Sequence, residues 1–506
     1  GAAPAATETR EFPAGSYIIR MDQPYARIAD ALLDHQYWSP NDPQKTPYDD
    51  TGWSFPENFA VQTVRVTDVK VLDVPMTRVT DVNPVGGVSG AGAVAMINHN
   101  GDNALATLRY RFKDADMQAA EEPFESNGQK FNRGSFIIRG VAQADLDKAT
   151  KELGLKAYSG AAPSVKTHPI RAARVALMHT WISTQTEGWW RLGFDNVGVP
   201  YDYISTQDLA RTPDLKSKYD VIVFGPAGGT PEQIVEGMPM WRNPMPWKVT
   251  PETPNITTFA QTDDIRPGMG LTGLANLRSF VERGGVLITC DNTADFAVQF
   301  GFARGVSQNQ PPRLHVVGSL LRTKLVDETS PIVYGIIDNL SVFSKTGESF
   351  NISNTLGGRG GGRGGAGGGA RATGRGLPDD PDFVTGFPAL DPKNQAAVLP
   401  SVQPWQASPI LDDQLRNPLN IIPPEQRPRV PLRFSEQGDL LQSGLLDGTD
   451  VAQHPVVVDA PYEKGHVVLF ANNPIYRGMT IGSYFLVFNT ILNFDNLNAG
   501  RKLDAR

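Results

Sequence analysis

The sequence predicts an α/β protein: an open, mostly parallel, doubly wound sheet preceded by a smaller α/β domain. Three observations predict it. From about residue 170, short continuous apolar runs alternate with amphipathic helical stripes, as parallel strands covered on both faces require. A strand–helix unit also recurs: Gly15-Ser16-Tyr17-Ile18-Ile19-Arg20 and Gly134-Ser135-Phe136-Ile137-Ile138-Arg139 are nearly the same hexapeptide, each followed by a helical stripe. Finally, 506 residues with 40% hydrophobic side chains exceed one ordinary core and suffice to fill two or three domains.

The first hexapeptide, entered from Pro13, reads as a strand. Tyr25, Ile28, Ala29, Leu32 and Leu33 then fall on one helical face. Residues 61–74 alternate as strands do, and residues 85–92 read as a glycine-rich turn. Residues 104–112 read as a strand and residues 114–124 as a helix. After the second hexapeptide, Leu146, Ala149, Thr150 and Leu153 share one helical side. These elements place an amino-terminal α/β domain over residues 15–165, with parallel strands expected. Residues 1–14 read as a flexible amino terminus: Gly1 to Thr7 is small, lacks a basic or apolar leader, and reads as the start of a processed chain or, equally well, as an arbitrary boundary.

The second domain spans residues 170–344. Its first buried strand is Arg174-Val175-Ala176-Leu177-Met178-His179. Thr184-Gln185-Thr186-Glu187 then matches a capping box that opens a helix through Trp189, Trp190, Leu192 and Phe194. Residues 219–225 supply a second buried strand. Leu271, Leu274, Leu277, Phe280 and Val281 form a helix closed by Gly284-Gly285, and residues 286–290 a third strand. Residues 465–470 and the stripe Ile481, Tyr484, Phe485, Phe488 and Leu492 return to the same sheet, so residues 451–500 complete it. Between them, residues 345–450 read as an insertion. It begins with a glycine run carrying Arg359, Arg363, Arg371 and Arg375 and continues through Pro404, Pro423-Pro424 and Pro428.

Composition excludes several functions. The formal charge is −7 and the isoelectric point about 5.6, which argues against nucleic acid or an anionic membrane as a general partner. The Arg/Gly run lacks the aromatic residues of RNA-binding segments and reads as a surface loop. No stretch reaches the ~20 apolar residues of a membrane-spanning helix. One cysteine excludes an internal disulfide framework and a cysteine-rich zinc site. None of the seven histidines has Glu three residues on, so no metal site is expected in this chain.

Two candidate sites remain. Cys290 ends the third strand, where open α/β sheets place their chemistry. Its neighbours Thr289, Asp291 and Asn292 lack the glycines of a nucleophile elbow, and an adjacent carboxylate raises a thiol's pKa. Cys290 therefore reads as buried or inert; His454 and His466 lie near the far end of the sheet and are the bases that could approach it. The second candidate is aromatic. Trp189, Trp190, Trp241 and Trp247 crowd one region, and the proline-rich loop at residues 238–247 is the first choice for a binding surface.

Several segments carry a resemblance. They are Tyr17-Ile18-Ile19-Arg20 with Asp22-Gln23-Pro24-Tyr25, Pro47-Tyr48-Asp49-Asp50-Thr51-Gly52-Trp53, Glu187-Gly188-Trp189, Gly318-Ser319-Leu320-Leu321 and Tyr476-Arg477-Gly478. Together they resemble the carboxy-terminal region of long bacterial proteins whose amino-terminal domain is a zinc carboxypeptidase of the carboxypeptidase A family. The resemblance implies a degenerate class I glutamine amidotransferase-like, flavodoxin-like domain from about residue 170. It implies that zinc and its ligands belong to an upstream peptidase domain or separate chain, the expected partner. A periplasmic or secreted location follows from the same likeness. The expected role is then an accessory, non-catalytic polypeptide. Two alternatives stay open: a cysteine hydrolase using Cys290, and a structural module that forms a homo-oligomer through its tryptophan-rich segment.

Overall fold

The computed structural model describes residues 9–356, 407, 410–411 and 418–503, apart from 40, 45–46, 81, 83, 242, 257–258, 313, 337–339 and 449. The Arg/Gly run expected as a surface loop lies outside these residues.

In the first region the strands are β1 (Gly87–Gly90), β2 (Val94–Ile97), β3 (Asp116–Ala120), the hairpin β4 (Phe124–Ser126) and β5 (Gln129–Phe131), β6 (Phe136–Arg139), β7 (Lys156–Gly160) and β8 (Thr167–Pro169). Six of them form a sheet in the order β1-β7-β2-β6-β3-β8. Only the β1–β7 pair is parallel; the other ladders are antiparallel. The expectation of parallel strands here is therefore corrected. Two elements also exchange identity, because Ala104–Arg111 is a helix and Asp116–Ala120 a strand. Leu105, Ala106, Leu108 and Arg109 are the buried residues of that helix, a spacing that suits a helix and no strand.

Residues 15–20 form no strand, and residues 61–74 hold one 3₁₀ turn, Val69–Asp73, instead of strands. A strand exists only where a neighbouring edge completes its hydrogen bonds, and among the described residues neither segment has one.

The second region contains β9 (Val175–His179), β10 (Asp202–Ser205), β11 (Val221–Phe224), β12 (Val286–Cys290), β13 (Val306–Asn309), β14 (His315–Val316), β15 (Ser319–Leu325), β16 (Ser341–Ser344), β17 (Ser349–Ile352), β18 (Arg429–Phe434), β19 (Leu441–Ser443), β20 (Leu446–Asp447), β21 (Pro455–Tyr462) and β22 (Gly465–Phe470). The large sheet runs β10-β9-β11-β12-β22-β21-β18-β15-β16, with β19 beside β15. Strands β10, β9, β11, β12 and β22 are mutually parallel. From β22 outward the pairing is antiparallel. The molecule is thus α/β with mixed sheets, parallel in the half that holds the continuous apolar runs. Strands β18 and β19 lie within the range expected as an insertion, yet they are members of this sheet.

The predicted helices form at Gln185–Val197, Gly270–Glu282 and Tyr484–Leu492. The capping box does not: the Thr184 side chain makes no cap bond, and Glu187 is buried instead. One continuous buried core joins Ile97, Leu108 and Phe136 of the first region to Leu177, Phe224, Leu287 and Phe488 of the second.

Candidate functional site

The carboxyl ends of β9, β11, β12 and β22 share one edge of the sheet, the edge on which open α/β folds assemble their sites. At this edge β12 passes into the helix Asn292–Gln299 through a single residue, Asp291, with φ 55° and ψ −129°. A non-glycine residue held there stores on the order of 1–3 kcal/mol of backbone strain. The surroundings over-determine it. The Asp291 N–H donates to the Phe470 carbonyl at 3.0 Å. The Asn292 amide donates to the carbonyls of Ala227 (2.6 Å) and Gly229 (3.2 Å) and accepts from the Ala227 N–H (3.1 Å). The Thr293 hydroxyl accepts from the Cys290 N–H at 2.9 Å and lies 2.7 Å from the Phe224 carbonyl. This strand–turn–helix has the geometry of a nucleophile elbow, but the residue it presents is a carboxylate. Sequence reasoning missed Asp291 because it looked for a thiol between glycines.

Three carboxyl groups gather at the turn. Burial raises the Asp291 pKa, and the charge of Lys345 opposes the rise. Asp295 is pushed up to about 6 by burial and then by the charge of Asp291. Glu348 is pushed up to about 7, again by burial first and Asp291 second. Among the described residues, buried Asp295 Oδ1 and Glu348 Oε2 have no hydrogen-bond partner. The raised pKa values of all three groups favour partial protonation of the cluster over three full charges near neutral pH.

Cys290 sits behind this turn, fully buried. Its thiol donates to the Asn472 carbonyl at 3.3 Å. Burial pushes its pKa well up, helped by the charges of Asp291 and Glu348. The two candidate bases are engaged elsewhere. His466 pairs with Val286 at the start of β12, whereas Cys290 pairs with Phe470 at its end. Four residues of strand put them ~13 Å apart. The His466 ring bonds Asp459 at 2.7 Å, and the His454 ring lies 3.4 Å from the Phe350 carbonyl. Iodoacetamide is accordingly expected to leave Cys290 unmodified in the folded protein and to label it in denaturant. Mass spectrometry reads the outcome, and rapid native labelling would refute it.

The tryptophans do not converge on one surface. Trp190 is fully buried, and its indole N–H donates to Asn473 Oδ1 at 3.1 Å. Trp189, on the same helix, is half-buried. Trp241 is 69% exposed and Trp247 44%. Trp247 exchanges both backbone hydrogen bonds with Thr262 at 2.9 Å and lines a cavity of about 510 Å³ with Glu252 and Ile256. A larger cavity, about 930 Å³, follows the edge strand β10 and is lined by Arg191, Tyr201, Tyr203 and Phe259. Arg191 there stacks on Tyr203 and Phe259, at 4.5 and 4.4 Å from the ring centres. Behind it, Glu187 accepts from the Tyr203 hydroxyl at 2.8 Å, and burial pushes its pKa up to about 7.

Three of the segments that carry the resemblance meet in space. Arg477 Nη1 reaches both Asp49 oxygens at 2.8 and 2.9 Å and Asp50 Oδ2 at 3.0 Å. The Gly52 N–H donates to the Gly318 carbonyl at 2.8 Å. Gly318 has φ +49°, and a Cβ there would lie 2.1 Å from Asp50 Oδ1, so only glycine fits. These residues form a structural latch that fixes the segment around Asp50 to the body.

Among the described residues, no group of three or more His, Cys, Asp or Glu is arranged to hold a metal ion. Nor is any helix long and apolar enough to cross a membrane. No protein-family model matches the sequence. None of the curated proteins matches it. Among solved structures, the chain is similar to a cytoplasmic protein from Salmonella typhimurium, at 11% identity over 63% of this chain and 97% of that one, with a TM-score of 0.29. It is similar to a ThuA-like protein from Bacteroides uniformis, at 10% identity, 65% and 93% coverage and a TM-score of 0.29. It is also similar to Gan42B, a GH42 beta-galactosidase from G. stearothermophilus, at 10% identity and a TM-score of 0.27, covering 69% of this chain and 32% of that one. Likenesses this distant carry no argument about chemistry, which rests on the residues themselves.

Proposed function

We propose that this chain is the accessory, non-catalytic part of a zinc carboxypeptidase-like protein, built on a degenerate, doubly wound glutamine amidotransferase-like domain and working in the periplasm or outside the cell. Peptide hydrolysis belongs, in this reading, to an upstream domain or a separate chain. One observation carries it. The turn on which a hydrolase of this architecture presents its nucleophile holds Asp291, in a cluster that burial keeps partly protonated. The thiol beside it is buried, and its pKa is raised. A carboxyl group so placed is a poor nucleophile, because its reactive form is the one burial disfavours.

Zinc does not fit the residues described: no ligand group is arranged for it, so no hydrolytic step is derived through this chain. Its contribution would be stability, substrate gating or subunit contact. The test is purification from the native source. The chain should co-elute with, or be part of, a polypeptide whose carboxypeptidase activity is lost to a chelator and restored by zinc. Elution alone, with no such companion and no longer precursor, would sink the reading.

A further inference from the structure

β9 leads into His179-Thr180-Trp181, and from this strand the chain leaves for β10 on one side and later for β11 on the other. Open α/β sheets leave a crevice outside the carboxyl ends of their strands at such a reversal. Planar groups gather there around Tyr203 of β10. The His179 ring stacks on the Tyr203 ring, with centroids 4.1 Å apart and planes within 10°. The Trp181 indole meets His179 edge-on at 4.8 Å. Arg191 covers the rings of Tyr203 and Phe259, and the Tyr203 hydroxyl donates to Glu187 Oε2.

Polar atoms of this cluster are buried and, among the described residues, have no hydrogen-bond partner: His179 Nε2, Thr180 Oγ1, Trp181 Nε1, Glu187 Oε1 and Arg191 Nε. Three of these side chains are almost wholly enclosed, His179 at 1% exposure, Glu187 at 2% and Thr180 at 3%. A buried polar group left unpaired is costly, and folded proteins hold few of them. So many around one tyrosine mark a place where a partner molecule belongs.

Their chemistry specifies the partner. His179 Nδ1 lies 3.1 Å from the Thr180 carbonyl. A carbonyl only accepts, so Nδ1 carries the ring hydrogen and Nε2 presents a lone pair. Burial lowers the His179 pKa to about 4, which keeps the ring neutral. Glu187 Oε1 is a second acceptor, Trp181 and Arg191 supply N–H donors, and the Thr180 hydroxyl serves either way. The charges of Glu187 and Arg191 act on each other, so an ion of either sign would meet a like charge. A hydroxyl group donates and accepts at once, and neighbouring hydroxyls on one uncharged molecule satisfy such a mixed set.

We infer that the crevice at the carboxyl ends of β9 and β10 binds a small uncharged polyol, whose hydroxyls pair with His179, Thr180, Trp181, Glu187 and Arg191. Entry is from the cavity of about 930 Å³ that Arg191, Tyr203 and Phe259 line. This inference does not depend on the proposed peptidase partnership, and its test needs no partner chain.

The purified full chain is titrated with glucose and with myo-inositol, read by saturation-transfer NMR and calorimetry. Glucosamine and glucose 6-phosphate serve as charged counterparts, and adenosine as a flat one. At least one of the two uncharged polyols should bind saturably, and the charged counterparts about 10-fold more weakly or not at all. His179→Phe, which keeps a ring against Tyr203, and Thr180→Val should each weaken binding about 10-fold, the loss of one hydrogen bond. Thr180→Val should also raise the melting midpoint of the ligand-free chain, because a methyl replaces an unpaired buried hydroxyl. Binding of neither polyol overturns the inference. So does binding that both variants leave unchanged, or tighter binding of adenosine or a charged counterpart. A lowered midpoint for Thr180→Val would assign its hydroxyl a structural partner and overturn it as well.

Discussion

Arg429→Ala is expected to cost about 2–3 kcal/mol of folding stability, below the ~3–5 kcal/mol for a fully buried charge pair because its partner Asp327 is 29% exposed. Arg429 opens β18 and is 6% exposed. Its Nε donates to Asp327 Oδ2 at 2.7 Å, Nη1 to the carbonyls of Leu497 (2.9 Å) and Ala499 (3.0 Å), and Nη2 to Thr329 Oγ1 at 2.8 Å. One side chain thus joins the middle of the large sheet to the turn after β15 and to the chain's final segment. Burial would raise the Asp327 carboxyl, but its bonds to Arg429 more than offset this and hold the pKa below the ordinary value. Without the guanidinium, Asp327 is left with its bonds to Thr329 and to water, and the carbonyls of buried Leu497 and half-buried Ala499 lose their donor. Arg429→Lys should recover only part of the loss, since an ammonium cannot reproduce the planar fork. Chemical denaturation measures both variants. A loss below about 1 kcal/mol for the alanine variant would show that the segment around β18 is not integral to the fold.

That segment is also where the sequence was hardest to read. Strands β9, β11, β12 and β22 were legible because a parallel strand covered on both faces needs an unbroken apolar run, and Val221–Phe224 or Val286–Cys290 is one. β18 has no such run. Its members Arg429 and Arg433 are buried, their charges met by Asp327 and by Glu436 at 2.9 Å. Asp327, the partner of Arg429, lies 102 residues away and leaves no local trace, whereas Glu436 follows Arg433 by three residues within a stretch that read as insertion. Residues 104–112 were misread for the opposite reason: Leu108, Tyr110 and Phe112 alternate with arginines in a strand-like manner at the end of a helical segment. At the site, part of the rise in the Cys290 pKa was legible from the carboxylate that follows it. The role of Asp291 was not, because its φ of 55° is held by bonds of the turn to two distant segments: Asp291 to Phe470 of β22, and Asn292 and Thr293 to Ala227 and Phe224 at the end of β11. Residue type gave one hint, in that Asp and Asn tolerate positive φ better than most residues.

Glu348→Gln is expected to raise stability near pH 8 relative to the parent and to leave it unchanged near pH 4. Buried His99 and His179, both lowered to about 4, contribute to the background in the opposite sense. In the unfolded chain this carboxyl titrates near its ordinary 4.5, whereas in the fold it is pushed up to about 7 by burial and by Asp291. Between these two values the folded state binds more protons than the unfolded one, so stability falls as pH rises through the window and levels off above it. The shift corresponds to on the order of 3 kcal/mol at most, shared among groups that titrate together. Asp295, raised to about 6, adds to the fall in the same direction. Glutamine keeps an acceptor for the Thr346 hydroxyl, which bonds Glu348 Oε1, and carries no charge to desolvate. The variant should therefore match the parent near pH 4 and exceed it by about 2 kcal/mol near pH 8. Glu187, buried against Tyr203 and titrating over the same range, contributes a fall of the same sign, so Glu187→Gln in addition should raise stability near pH 8 further. Denaturation midpoints across the range decide the matter. Equal slopes in parent and variant would mean that the carboxyl cluster is ionised in the fold. Asp291 would then stand at its turn as a full charge, and the argument that burial has disarmed this site would fail with it.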